Sequence, residues 1–261
     1  TSRKAIIILN ILLWIVFTYL SAAICLRGYV SNHLPLSNGF ETMQFMAWCT
    51  LLLTFLLQRK FAMLLPFGFL LCGLTLMVSM LGESNPQITQ LMPVLQSPLL
   101  SIHVVVIMIA YSLLAFIMLN GVTAVILHQS QKECKEQIER LQIISQIILY
   151  PAIFLLAIGI FIGAVWANVS WGRYWGWDPK ETWALITMVI YAIVTHLHLI
   201  KRCNSLWLFN VTSVIAFSSV LMTFLGVNYF LSGMHSYGQN EHVNNILIYL
   251  YLAFGIIIVL A

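Results

Sequence analysis

A chain of 261 residues that is 61% hydrophobic and 8% charged, with a mean hydropathy of +0.95, stands far from the roughly 25% charged content of an ordinary soluble domain. Composition therefore excludes a soluble globular enzyme and implies an all-α, polytopic integral membrane protein, one transmembrane domain over residues 1–261. The formal net charge of +4 is read as membrane topology rather than affinity for nucleic acid, and no nucleic-acid partner is expected.

Apolar runs near the roughly 20 residues needed to cross a bilayer recur at 5–25, 43–58, 61–82, 99–127, 142–165, 180–200, 205–226 and 244–261. About eight transmembrane helices follow; the second is short for a span, and the last runs to the end of the sequence. The N-terminus, TSRKAIIILN, has basic residues before an apolar core but no initiator Met and no small-residue cleavage site, so no removable signal peptide is expected. With the N-terminus on the cytoplasmic side and strict alternation, Arg3, Lys4, Arg59, Lys60, Lys132, Lys135, Arg140, Lys201 and Arg202 fall inside. Only Arg27, Arg173 and Lys180 fall outside, a nine-to-three split that favours this orientation under the positive-inside rule. Both termini are then cytoplasmic or stromal.

Cys25, Cys49, Cys72, Cys134 and Cys203 contain no C-x-x-C pair, and a disulfide framework or dithiol site is not indicated. The most polar segment, HQSQKECKEQIERLQ at 128–142, reads as a solvated connector able to continue the flanking helices, with Glu136 and Arg140 paired at i,i+4. Four outer loops, about 26–42, 83–98, 166–178 and 227–243, hold most residues with chemical potential. In the fifth span Pro151 predicts a kink, and Gly159 and Gly163 in GIFIG allow another helix to approach closely.

The outer loop at 166–178 leads into WGRYWGWDPKETW, residues 171–183. Asp178, Pro179 and Glu181 compose a helix start: an N-cap, a proline at the first helical position and a glutamate completing a capping box. The indoles Trp166, Trp171, Trp175 and Trp177, with Tyr174, exceed the aromatic or two that an interfacial belt places at a helix end. Gly172 and Gly176 let the backbone turn or a flat ligand approach, and Trp faces suit a planar aromatic such as a porphyrin.

Of seven histidines, His33, His103, His128, His196, His198, His235 and His242, position singles out a few. His103 opens the fourth span on the outer side. His128, 25 residues further on, is about 37 Å away along a helix and belongs to the opposite face. His235 follows the seventh span on the outer side, so His103 and His235 flank the Trp-rich loop in sequence and share its side. Two neutral imidazoles from different helices can supply both axial ligands of a haem iron; the alternative is that the outer histidines are unrelated. His196 and His198, two apart on the sixth helix, point about 200° from one another and cannot share one small site. An intramembrane histidine is a functional candidate, and here its partner is expected on another polypeptide.

The stretch WGRYWGWDPKETWALITMVIYAIVTH, 171–196, closely resembles the tryptophan-rich WWD signature and following helix of the CcsA (ResC) family of System II cytochrome c maturation, and PLSNGFETMQFMAW, 35–48, resembles its first outer loop and second helix. The resemblance implies haem export and presentation of haem b for covalent attachment to apocytochrome c, as a cytochrome c haem lyase or synthetase subunit. It implies that Trp171, Gly172, Arg173, Tyr174, Trp175, Gly176, Trp177 and Asp178 bind haem, that His103 and His235 ligate an outer haem iron, and that His196 ligates a transmembrane haem. The other transmembrane ligand would come from a CcsB (ResB) partner, either separate or fused as in CcsBA; the missing initiator Met suits a processed subunit or the CcsA portion of a fusion. The bilayer would be the bacterial inner membrane or the thylakoid membrane.

The implied reaction joins haem vinyl groups to the thiols of a C-x-x-C-H sequence, and no side chain of this chain needs to act as nucleophile or acid; positioning is the contribution. Arg173, Lys180 or both could pair with propionates, or be simple interfacial cations. Two alternatives are a membrane b-type cytochrome or quinone-linked electron carrier, and a permease gated by its aromatic loop. A visible absorption spectrum separates the permease from the other two.

Overall fold

The computed structural model describes residues 3–80, 88, 93–130, 134–202, 204–231 and 233. Seven helices carry the fold: α1 (Arg3–Ser31), α2 (Gly39–Leu57), α3 (Leu64–Ser79), α4 (Pro98–Ser130), α5 (Lys135–Trp171), α6 (Pro179–His196) and α7 (Leu206–Leu221). The last continues through a π turn, Met222–Gly226, into a final helical turn, Val227–Phe230. No strand occurs among the described residues, as expected for a chain that must satisfy its backbone polar groups within hydrocarbon.

Six of these segments are long and apolar enough to cross a membrane. The third expected span is shorter than the sequence suggests: α3 has 16 residues, about 24 Å at 1.5 Å per residue against roughly 30 Å of hydrocarbon. Leu57 and Leu64 are separated by turns around Arg59 and Lys60, which end α2 and delay the start of α3. The expected eighth span at 244–261 lies outside the described residues. The protein is thus a polytopic helical membrane protein with six long apolar helices and one shorter one among the described residues.

Helix α4 is the axis of the bundle, packed along α5 and also against α7, α2 and α3. Ala110, Leu114, Phe116 and Ile117 of α4 are completely or almost completely buried, facing Leu149, Ala152 and Leu156 of α5. A second cluster joins Leu13 and Leu20 of α1 to Ala47 and Leu51 of α2 and Cys72 of α3. Helix α1 is peripheral and exposes Ile7, Ile8, Ile11, Trp14 and Ile15, a surface that only lipid or another apolar chain can cover. Buried hydroxyls turn back on their own helices: Thr54 Oγ1 donates to Thr50 O at 2.7 Å and Ser213 Oγ to Phe209 O at 2.7 Å. Such bonds let polar residues sit in an apolar core.

The connector behaves as its sequence suggests on the α5 side, where Arg140 Nη2 meets Glu136 Oε1 at 2.6 Å. Pro151 lies inside α5, which runs through it. No disulfide joins the described cysteines; Cys203 lies outside the described residues.

Candidate functional site: an aromatic-walled cavity with a held histidine

The site is assembled at the end of the bundle where α5 stops. The fifth helix does not end at 165 as the apolar run alone suggests; it continues to Trp171, because no glycine or proline intervenes between Gly163 and Gly172. Gly172 then adopts φ 73° and its N–H donates to Asn168 O at 2.9 Å, a left-handed cap that a side chain would disfavour. Trp166 and Trp171 are therefore helical, with rings meeting edge-on at 4.8 Å, and the loop proper is 172–178.

The far side of that loop is fixed by the expected capping box. Asp178 Oδ2 accepts from Lys180 N at 3.2 Å, while Glu181 Oε2 accepts from Asp178 N at 3.2 Å and Gly176 N at 2.8 Å. Glu181 thus grips the amides on both sides of Trp177. Between them Trp177 adopts φ 55°, a left-handed conformation costly for a bulky residue, and the residue is 73% exposed. Trp175, perpendicular to it at 5.9 Å, lies on the inner side.

Beneath this loop is a cavity of about 460 Å³, within the range of small-molecule and cofactor pockets. Its walls come from α2 and the turn before it, the end of α3, α4, α5, α6, the final turns of α7 and the loop. Trp166, Trp175 and Tyr174 supply aromatic surface, Ile107, Met108, Ile160 and Phe224 aliphatic and aromatic depth. Lys180 and Glu181 are the only charged residues in the lining and His103 its only histidine, among the described residues.

His103 is placed by the two glycines of GIFIG. Its Nδ1 lies 2.7 Å from Gly159 O, and since a carbonyl only accepts, that nitrogen carries the proton, which in the neutral ring puts the lone pair on Nε2. A Cβ on Gly163 would come 2.7 Å from His103 Cε1 and 2.8 Å from Nδ1, and one on Gly159 would strike Ile107 Cδ1 at 2.5 Å. The glycines do admit a neighbouring helix, α4, but they also form the recess that receives the imidazole. An imidazole held through Nδ1–H, with Nε2 as the ligating nitrogen, is the usual arrangement of a metal-binding histidine.

The other predicted residues are distributed as follows. Tyr174 and Trp175 line the cavity, whereas Trp171, Gly172, Arg173, Gly176, Trp177 and Asp178 lie outside its lining. Arg173 is exposed and folds over Gly176, where a Cβ would come 2.9 Å from its Nε. His235 and His242 lie outside the described residues. Gly233, two positions before His235, packs on the helix start: a Cβ there would meet Asp178 Oδ1 at 2.5 Å and Pro179 Cδ at 3.0 Å. His196 ends α6 rather than lying within it, and His198 falls in the following turn, Leu197–Leu199. Both are exposed. His196 Nδ1 faces Ala192 O at 2.7 Å, at the end of an exposed stripe of Ile186, Val189 and Ile193.

The wall contributed by α2 and the turn before it holds none of the individual residues that the sequence singled out. Ser37, Asn38, Phe40 and Met43 border the cavity, and the turn carrying them is fastened by Glu41. That carboxylate is 3% exposed, receives Arg27 Nε at 2.6 Å, Ser37 N at 2.8 Å and Ser37 Oγ at 2.5 Å. Arg27 also lies 5.5 Å over the Phe40 ring. A charged pair inside an otherwise apolar helical end was the available signal. Tyr111 and Thr223 form the polar floor, Thr223 being bonded to Thr187 at 2.9 Å where the π turn begins.

These features define a class: a polytopic helical membrane protein with an aromatic-walled cavity of about 460 Å³ and an imidazole bonded into its wall at one end of the bundle. Residues 36–235 match the family described as Cytochrome C assembly protein, and the chain belongs to that family. It is 36% identical over 249 residues to the cytochrome c biogenesis protein CcsA of Chlamydomonas reinhardtii, covering 90% of this chain and 69% of the relative. Against CcsA of Prochlorococcus marinus strain MIT 9301 it is 30% identical over 248 residues, covering 81% and 78%. It is also 38% identical over 244 residues to protein NrfI of Wolinella succinogenes, covering 92% of this chain but only 27% of NrfI; the chain spans about a quarter of that relative.

Proposed function

We propose that this protein presents haem b for covalent attachment to apocytochrome c, as the haem-holding part of a System II cytochrome c synthetase. The observation that carries the reading is His103, held through Nδ1 by Gly159 and seated by Gly163 in a cavity walled by Trp166, Tyr174 and Trp175, in a chain of the cytochrome c assembly family. The cavity fits haem: it has the volume, flat aromatic sides, an imidazole for iron and polar groups at one edge. His235, which lies outside the described residues, is the second outer ligand in this reading.

The chain's own residues bind, orient and shield. His103 holds iron until the histidine of the incoming C-x-x-C-H sequence replaces a ligand, and the loop keeps the ring edge toward the thiols. Each attachment forms one C–S bond and moves the thiol hydrogen onto the neighbouring vinyl carbon, so no residue here acts as nucleophile or proton store. The WWD loop faces the periplasm or lumen and both termini the cytoplasm or stroma. His196, exposed and with Nδ1 facing Ala192 O, ligates a transmembrane haem together with a histidine of a CcsB/ResB-like partner, separate or fused.

The test is cytochrome c formation in cells that depend on this protein. His103→Ala and His235→Ala are each expected to abolish holocytochrome c while the protein still accumulates in the membrane. Unimpaired holocytochrome c in both variants would overturn the outer bis-histidine site.

A further inference from the structure

Among the described residues the cavity has one cationic wall group, and iron ligation and ring packing do not use it. Lys180, at the start of α6, is half-buried and lines the cavity; its Nζ donates to Asn228 Oδ1 at 2.8 Å. Asn228 is itself fixed, since its Nδ2 donates to Phe224 O at 2.7 Å, so Oδ1 points at the lysine by default. Ion pairs among the described residues join Arg27 to Glu41, Lys135 to Glu139 and Arg140 to Glu136, and none involves Lys180. The nearby carboxylates are already engaged: Glu181 Oε2 holds the amides of Gly176 and Asp178, and Asp178 holds the amide of Lys180 itself. A lysine on an apolar cavity wall, tethered by a neutral amide and with the Asp178 carboxylate near enough to act on its charge, retains two ammonium N–H groups for a ligand.

We propose that Lys180, positioned by Asn228, is an anion subsite of the cavity that takes one propionate carboxylate of the haem. This rests on the haem reading above and adds an orientation to it: the propionate edge lies against α6 and the end of α7. The opposite, vinyl-bearing edge is thereby directed away from Lys180, which fixes which edge the incoming thiols meet. Arg173, the other outer cation beside the loop, folds over Gly176 outside the cavity lining and is not part of the subsite.

The test compares haem with its dimethyl ester, which keeps the ring, iron and vinyl groups but removes both carboxylate charges. Binding is followed by Soret titration of the full-length protein in nanodiscs of zwitterionic lipid, which excludes anionic headgroups as competitors. A charge-assisted hydrogen bond predicts that the wild type prefers haem over the ester by about tenfold or more. Lys180→Met should lower haem affinity by that factor, leave ester affinity within about threefold, and so bring the ratio near one; Lys180→Arg should keep a preference for haem. Equal affinity of the wild type for both porphyrins overturns the subsite, as does a preference that survives Lys180→Met. If Lys180→Met binds neither porphyrin, Lys180→Arg decides: a retained preference supports the subsite and its loss overturns it. A wild type with no Soret band for either compound would instead overturn the haem reading and the subsite with it.

Discussion

Gly163→Ala tests the recess that holds His103. The added methyl would sit 2.7 Å from Cε1 and 2.8 Å from Nδ1 of the imidazole, well inside van der Waals contact, and α4 and α5 are locked together along their length. The ring is the softer partner, so it swings away and its 2.7 Å bond to Gly159 O is lost. Stability changes little: a bond worth about 0.5–1.5 kcal/mol disappears, while replacing glycine by alanine in a helix returns up to about 1 kcal/mol. Haem binding changes more, because disturbing the group that orients a metal-ligating histidine costs about 10–100-fold in affinity, or about 1.4–2.7 kcal/mol. Soret titration alongside thermal unfolding of the purified protein separates the two effects. Wild-type haem affinity in Gly163→Ala, or a loss that merely follows unfolding, would refute the reasoning.

Glu181→Ala removes the acceptor shared by Gly176 N and Asp178 N; it should cost about 1–2 kcal/mol of helix capping and let Trp177 leave its left-handed conformation, seen as faster amide exchange across 176–178. Arg27→Met leaves the Glu41 carboxylate buried without its cation and should destabilise by about 3 kcal/mol, whereas Arg27→Met combined with Glu41→Met should recover most of the loss; thermal unfolding of the two variants gives the comparison. In α3, Gly68→Ala drives a methyl into the Thr54 side chain and should cost about 1–3 kcal/mol, while Gly73→Ala meets nothing within 4 Å and should be neutral or stabilising by up to about 1 kcal/mol. Equal melting of those two variants would mean that α2 and α3 do not approach as described.

What the sequence disclosed is local. Asp178-Pro179-Lys180-Glu181 announced the start of α6 because a capping box is written within four residues, and the span at 205–226 is apolar enough to be read directly. The end of α5 was hidden because an aromatic-rich run resembles a loop in composition, yet a helix continues until something such as Gly172 stops it. The seat of His103 depends on Gly159 and Gly163, 56 and 60 positions away, and the tether of Lys180 on Asn228, 48 positions away. Such pairings follow from how helices pack, not from spacing along the chain. The π turn at Met222–Gly226, which sets Thr223 against Thr187 and Trp183 O, has no sequence pattern that marks it. The resemblance of 35–48 to the family's first outer loop pointed to a stretch that does line the cavity, without indicating that Glu41 and Arg27 fasten it.

The central claim is that His103 Nε2 ligates haem iron in the aromatic-walled cavity. Its most direct measurement is the visible absorption spectrum of His103→Gly purified under haem-replete conditions, recorded before and after adding imidazole. The wild type should show the Soret and visible bands of six-coordinate, low-spin haem. The variant should lose or shift them, and imidazole entering the vacated recess should restore them. A variant spectrum identical to the wild type without imidazole would contradict the account.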